Sequence, residues 1–212
     1  MPLNEYNRKR NFNETDEPEG LEHTSNGKLK FVVQRHAASH LHYDFRLEMD
    51  GVLKSWAVPK GPSLDPADKR LAMMVEDHPY SYRTFEGSIP EGNYGAGEVE
   101  IWDEGTYEPL GMQKGKSDDM IMQRELHSGS LKFIMHGEKL QGEFALVKMK
   151  TGDENAWLLL KHRDEFAEKG YDAEDYTDPD SKVSRFAREK FGTKKKSERQ
   201  RNHKRNRLSG KL

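Results

Sequence analysis

Three of the nine histidines, His36, His40 and His42, fall within seven residues. The run reads Gln34-Arg-His36-Ala-Ala-Ser-His40-Leu-His42-Tyr-Asp44-Phe-Arg46-Leu-Glu48. If Leu41 to Met49 is a β-strand, His42, Asp44, Arg46 and Glu48 share one face. Tyr43, Phe45, Leu47 and Met49 then share the other, which packs. The polar face admits a bland reading, an exposed strand of alternating charge, and a chemical one. A His and an Asp at i and i+2 can converge on one cation, and neutral imidazole is the commonest metal ligand. An Arg two residues further suits bidentate capture of phosphate oxygens. Metal and arginine together stabilise charge on a phosphoryl group in transfer. His36, at the end of the preceding strand, can complete a His/His/Asp set. Taking His42, Asp44 and His78 instead gives the two-His-one-carboxylate triad of a non-haem iron oxygenase. That choice leaves His36 and Arg46 without a task.

A second polar cluster, Glu76-Asp77-His78-Pro79-Tyr80-Ser81-Tyr82, follows the apolar run Leu71–Val75, so it sits at a strand end. Next comes the glycine-rich stretch Phe85–Gly97. It lacks a GKS ending and opens no helix, which makes it a weak phosphate cradle and a better tight structural loop. Trp56-Ala-Val-Pro-Lys60-Gly-Pro62 ends a strand in a stiff turn that presents one lysine. His127, His136 and His162 are isolated and read as ordinary surface or packing histidines.

These groups need a scaffold, and the pattern around them is period 2, rich in β-branched and aromatic residues. Candidate strands are Leu29–His36, Leu41–Met49, Val52–Val58, Leu71–Glu76, Gly97–Trp102, Ser130–His136, Gly142–Met149 and Trp157–His162. Asp50-Gly51 is a two-residue hairpin signal, with φ > 0 at both positions. The expectation is an all-β-dominated chain: a compact small β-barrel of about eight strands with one or two short helices. One helix falls in Lys114–Leu126, N-capped by Ser117, and another in Ser181–Phe191. Hydrophobic residues make up only 33% of the 212 and charged residues 34%. A small barrel with a charged interior face suits so thin a core.

Composition also excludes chemistry. The chain has no cysteine, which removes disulfides, thiolate metal sites and cysteine nucleophiles. No apolar run is long enough to span a bilayer, and the N-terminus has no signal-peptide core, so a cytoplasmic protein without a membrane partner is expected. The net charge of −2 conceals an acidic body and a basic stretch, Lys194–Leu212. That stretch reads as a disordered tail, either solubilising or attracted to phosphate backbones. It would suffice for a non-catalytic nucleic-acid end-binding module. Residues 165–193 read as an acidic linker with a short helix.

The motifs in order resemble a known family. Gln34-x-His36-x5-His42-Tyr43-Asp44-x-Arg46, Trp56-Ala-Val-Pro-Lys60-Gly-Pro62, Glu76-Asp77-His78-Pro-x3-Tyr82 and Glu86-Gly-x-Ile-Pro-x-Gly-x-Tyr-Gly-Ala-Gly97 are similar to the 3′-phosphoesterase domain. That domain is attached to the bacterial ATP-dependent DNA ligase D of end joining, and is known also as a stand-alone protein, the form expected here. The resemblance runs from about Leu3 to Asp164, taken as the domain at residues 1–164. It implies a β-barrel fold and manganese ligands at His36, His42 and Asp44, a donor set that suits zinc or another divalent transition metal equally. Arg46 and His78 would contact phosphate, with Tyr82, Gln34, Lys60 and Arg70 as further active-site positions, Lys60 and Arg70 on the phosphate. His78 would bind it as a cation or protonate the leaving oxygen. Arg8-Lys-Arg10-Asn11-Phe12-x2-Thr15-x-Glu17-Pro18 matches a family pattern in which Arg10 and Glu17 belong to the site. Composition alone would make residues 1–28 a disordered tail. The family has Asp at position 11, so Asn11 keeps an acceptor but loses a charge that would pair with Arg10 or a neighbouring donor. The implied activity removes a 3′-terminal ribonucleoside and then the 3′-phosphate from DNA or DNA/RNA primer-template ends. The implied partners are a separate DNA ligase and polymerase.

Overall fold

Alternation along eight strands decides the architecture. In the computed structural model, which describes residues 3–21, 23 and 27–192, these strands close into an antiparallel barrel. In spatial order they are β1 (Lys30–Ala37), β2 (Leu41–Met49), β3 (Val52–Val58), β4 (Arg70–Met74), β10 (Ala156–Lys161), β9 (Gln141–Lys148), β8 (Ser130–Gly137) and β7 (Gly97–Pro109), which returns to β1. Each of the eight expected strands is one of these staves. β7 runs past its expected end at Trp102. Two short strands escape the pattern because they are too short to alternate: β5 (His78–Pro79) on β3 and β6 (Gly87–Ile89) on β7. The Asp50-Gly51 hairpin forms as expected, with φ of 54° and 72°.

The barrel interior is apolar. Phe31, Val33, Tyr43, Phe45, Trp56, Phe133, Phe144 and Trp157 fill it, as the bore of an eight-stranded barrel requires. The charged row of β2 therefore does not line the interior, as a charged interior face would have it. Asp44 and Arg46 alternate with core residues Phe45 and Leu47 and point outward. An enclosed bore would have to desolvate those charges. Nor is the row a solvated face, since Asp44, Arg46 and Glu48 are buried. A second apolar cluster covers that side of the wall, with Leu3 and Tyr6 of the N-terminal segment packed against Val32, Leu53, Tyr82, Phe85 and Val99. The candidate chemistry lies between wall and cover. A register shift between β1 and β7 at Val33/Gln34 marks the start of the polar row on β1, and bulges of this kind re-aim side chains beside sites.

Among the described residues three α-helices flank the barrel, one more than the expected one or two. Short α1 (Asn4–Arg8) is held by the buried Tyr6. In α2 (Asp118–Ser128) the Ser117 side chain accepts from the Met120 N–H. In α3 (Lys182–Phe191) Ser181 accepts from the Ser184 N–H at 3.1 Å. None is long and apolar enough to cross a membrane. The expected basic tail, 194–212, lies outside the described residues.

The acid-rich segment after Asp164 is no free linker. Tyr171 and Ala173 join the barrel core, and Glu174 accepts both from Arg35 (Nε 2.9 Å, Nη2 2.8 Å) and from the Tyr43 hydroxyl (2.6 Å). Arg35 also donates to Glu100 and to the Ser184 hydroxyl of α3. Burying a guanidinium at one mouth of the barrel demands acids around it, and the acidic stretch supplies one. Arg35→Ala is expected to lower stability by about 2–3 kcal/mol, read in chemical denaturation, because it removes a buried hydrogen-bonded guanidinium while Glu174 and Glu100 stay partly solvated. A loss below about 1 kcal/mol would make the contact a surface-type pair.

Candidate active site

His36, His42 and Asp44 offer ligand atoms that all lie within 4.8 Å of one another. The two imidazoles sit on opposed residues of neighbouring strands, since His36 on β1 pairs with His42 on β2. Each ring has one nitrogen committed elsewhere. His36 Nε2 lies 2.8 Å from the Gly95 carbonyl and His42 Nδ1 lies 2.9 Å from the His40 carbonyl. A carbonyl only accepts, so these nitrogens donate, and the lone pairs fall on His36 Nδ1 and His42 Nε2. Those are the atoms that face Asp44, at 3.4 and 3.6 Å. Tying the far nitrogen to an acceptor is how metal-binding imidazoles are held in one tautomer. Burial opposes ionisation of Asp44, yet the Arg46 guanidinium beside it holds its carboxyl well below the usual range. The donor set thus fits a divalent transition metal. It is the one such group among the described residues.

Arg46 is the cation beside this set. Its Nε donates to Gln34 Oε1 at 2.7 Å and its Nη2 to Asp44 Oδ2 at 3.1 Å, while Nη1 is buried without a partner. An unsatisfied buried N–H in a fixed guanidinium calls for an acceptor. Gln34 is itself locked, its amide donating to the Tyr82 and Phe85 carbonyls at 3.1 and 2.8 Å. Gln34→Ala is expected to leave metal binding intact but slow turnover about 10- to 100-fold, read as kcat beside a metal titration. Equal loss of metal binding would contradict a role through Arg46. Glu48 ends the row and is taken up by the Lys30 N–H.

The N-terminal segment completes the enclosure. Arg10 donates to Glu17 (2.9 Å) and Glu76 (3.2 Å) and lies 3.8 Å above the Tyr6 ring. Glu17 also accepts from the Tyr82 hydroxyl at 2.9 Å, and the Tyr82 ring lies 4.9 Å from the Arg46 guanidinium. Arg10 and Glu17 are thus brought to the site, against the disordered tail that composition suggests. His78 Nδ1 lies 2.9 Å from the Glu76 carbonyl and Nε2 lies 3.1 Å from Arg10 Nη2. Arginine only donates, so Nε2 accepts. Burial, with Arg46 and Arg10 beside it, pushes the His78 pKa well below the ordinary value. Both ring nitrogens are thus engaged, an arrangement that fits the neutral ring. With Nε2 turned to Arg10, His78 supplies no third ligand to a His42/Asp44 iron triad.

Two expected members make no hydrogen bond or ion pair with these groups. Arg70 shares its alternation with the core residue Ala72, on the other side of the wall from Asp44, and donates to Asp68. Lys60 is exposed in the turn after β3. Asn11 is not a partner of Arg10; it is exposed and its side chain accepts from the Asn13 N–H. Glu76 and Tyr6 were not expected at the site. Glu76 sits in the second polar cluster, but nothing local marks it as the partner of Arg10 rather than of solvent. The glycine loop has a part after all, since its Gly95 carbonyl orients His36.

A closed antiparallel barrel bearing a three-donor metal set and a half-satisfied buried arginine under an N-terminal cover is the class that fold and site define. Residues 34–148 match the DNA ligase D 3′-phosphoesterase domain, and the chain belongs to that family. It is 53% identical over 166 residues to the multifunctional non-homologous end joining protein LigD of Pseudomonas aeruginosa, covering 77% of this chain and 19% of that protein. It is 42% identical over 164 residues to the protein of the same description from Mycolicibacterium smegmatis, covering 77% of this chain and 21% of that one. The chain spans about a fifth of the length of these relatives.

Proposed function

We propose that this chain is a divalent-metal-dependent 3′-phosphoesterase that heals DNA primer ends in end joining. It removes a terminal 3′-ribonucleoside as a phosphodiesterase and the remaining 3′-phosphate as a phosphomonoesterase, leaving a 3′-hydroxyl for a polymerase or ligase. The observation that carries this reading is the pairing of two tautomer-locked imidazoles and Asp44 with the unpartnered Nη1 of Arg46.

His36, His42 and Asp44 would hold the ion, manganese by family likeness and zinc by donor chemistry alone. When bound, it supplies Lewis-acid stabilisation of charge on the phosphate. Arg46 receives a phosphoryl oxygen at Nη1 and neutralises the charge that develops there, held ready by Gln34 and Asp44. Arg10, fixed by Glu17 and Glu76, brings a second positive charge against His78. Tyr82 is buried and its hydroxyl pKa is raised well above the ordinary value, chiefly by burial. It stays protonated and steadies Glu17.

A two-His-one-carboxylate set is also the ligand pattern of non-haem iron oxygenases. Arg46 and the family favour phosphate. The test is a gel assay on 5′-labelled primer-templates ending in a 3′-ribonucleotide, a 3′-phosphate or a 3′-hydroxyl, with and without Mn²⁺. Metal-dependent conversion of the first two to the third is expected. DNA binding with no new 3′ end across a manganese titration would overturn the reading in favour of an end-binding module. Iron-dependent oxygen uptake would point to the oxygenase.

A further inference from the structure

Tyr94 has no part in the chemistry above, yet it stands at its edge. The ring is half exposed (50%) in a chain whose other tyrosines at the site, Tyr6 and Tyr82, are buried. Its neighbour Gly95 supplies the carbonyl that holds His36, so the ring is one residue from an anchor of the metal set. The cations of Lys9 and Arg10 lie over its ring, 4.8 and 5.6 Å from the centroid.

The turn that carries the ring is fixed. The Asn93 N–H donates to the Pro90 carbonyl and the Ala96 N–H to the Asn93 carbonyl, both at 3.2 Å. The Asn93 side chain reaches Glu14 of the N-terminal cover. Beyond the turn, Gly97 has φ of 152°, and a Cβ there would run into the Ala37 carbonyl oxygen, which pins the loop to β1. A rigid aromatic ring that stays half exposed under these cations offers its uncovered surface for stacking on a nucleobase, with little ordering cost. A groove of about 500 Å³, walled by Ser39, Ile89, Gly95 and Phe186, opens beside the same turn. A phosphate within a 3′-terminal ribonucleotide linkage has a nucleoside on either side.

We propose that Tyr94 is the stacking platform for one of the two nucleobases that flank the scissile phosphate, and so a substrate-binding residue that favours base-bearing ends. This rests on the phosphoesterase reading for its substrate class. Stacking on an aromatic face tolerates any base, which suits an enzyme that must accept any sequence.

The test compares wild type, Tyr94→Ala and Tyr94→Phe on a 5′-labelled primer-template with one 3′-terminal ribonucleotide. Two further substrates carry an abasic sugar in place of the terminal or the penultimate base. Tyr94→Ala should raise KM by roughly 5- to 100-fold with kcat changed only a few-fold, and Tyr94→Phe should match wild type. On one of the two abasic substrates wild type and Tyr94→Ala should converge, and that substrate identifies the stacked base. A deficit that persists on both, a Phe variant as poor as Ala, or no deficit at all would overturn the proposal. A second readout needs no turnover. In EDTA, 2-aminopurine at the stacked position should be quenched by wild type and Tyr94→Phe and less by Tyr94→Ala. Quenching without cleavage would sink the phosphoesterase reading and keep the platform; cleavage without base dependence would do the reverse.

Discussion

His42→Ala should abolish metal-dependent release of the 3′-terminal nucleoside, leaving less than about 1% of the wild-type rate. A Lewis acid at phosphate supplies several kcal/mol of charge stabilisation, and each 1.4 kcal/mol is a factor of ten. The substitution leaves His36 Nδ1 and Asp44 as a two-donor remnant. Its selectivity is what makes it informative. His42 belongs to none of the apolar clusters, and Asp44 keeps both His36 and Arg46 as partners. Thermal stability should therefore stay within about 1 kcal/mol of wild type, while Mn²⁺ titration followed by electron paramagnetic resonance loses the tight site. Undiminished cleavage with Mn²⁺ would refute the metal assignment. Lost cleavage with unchanged metal binding would move the ion to other ligands.

This site was legible in sequence where its residues were neighbours on one strand. The alternation of β2 put His42, Asp44 and Arg46 on one face, and that face is where they stand. Opposing His36 to His42 needed only the short turn between β1 and β2. What alternation could not say was which side of the wall is inside. Interior and cover are both apolar, so Val32 and Val33 look alike in sequence although one packs under the N-terminal cover and the other in the barrel. Arg70, expected only from the family pattern, shares the interior face of β4 with Ala72. Arg10 and Glu17 were invisible to composition because their partners, Glu76 and Tyr82, lie some 65 residues away. Only the family pattern reached them. The acidic segment after Asp164 failed in the opposite way: its charge suggested solvent, but Glu174 is spent on the buried Arg35.

Arg46→Lys is the sharper companion to Arg46→Ala. On the proposed reading alanine removes the donor that would meet the phosphoryl oxygen, and losing one such preorganised donor costs about 10²–10³ in kcat. It also strips Asp44 of its nearest guanidinium partner, so its carboxyl pKa should rise and a loss of metal binding could share the blame. Lysine separates the two effects. Its ammonium keeps a positive charge near Asp44, but it lacks the planar fork that Gln34 holds at Nε while Nη1 stays free. At saturating Mn²⁺, Arg46→Lys should therefore bind metal as wild type does and still lose at least about tenfold in kcat, on the 3′-ribonucleotide and the 3′-phosphate alike. The defect must appear on both substrates, because the phosphoryl group is what they share. A lysine variant with full kcat would mean that charge alone suffices and that the lock made by Gln34 is structural. A defect confined to the 3′-ribonucleotide would place Arg46 against the leaving nucleoside instead of the phosphate.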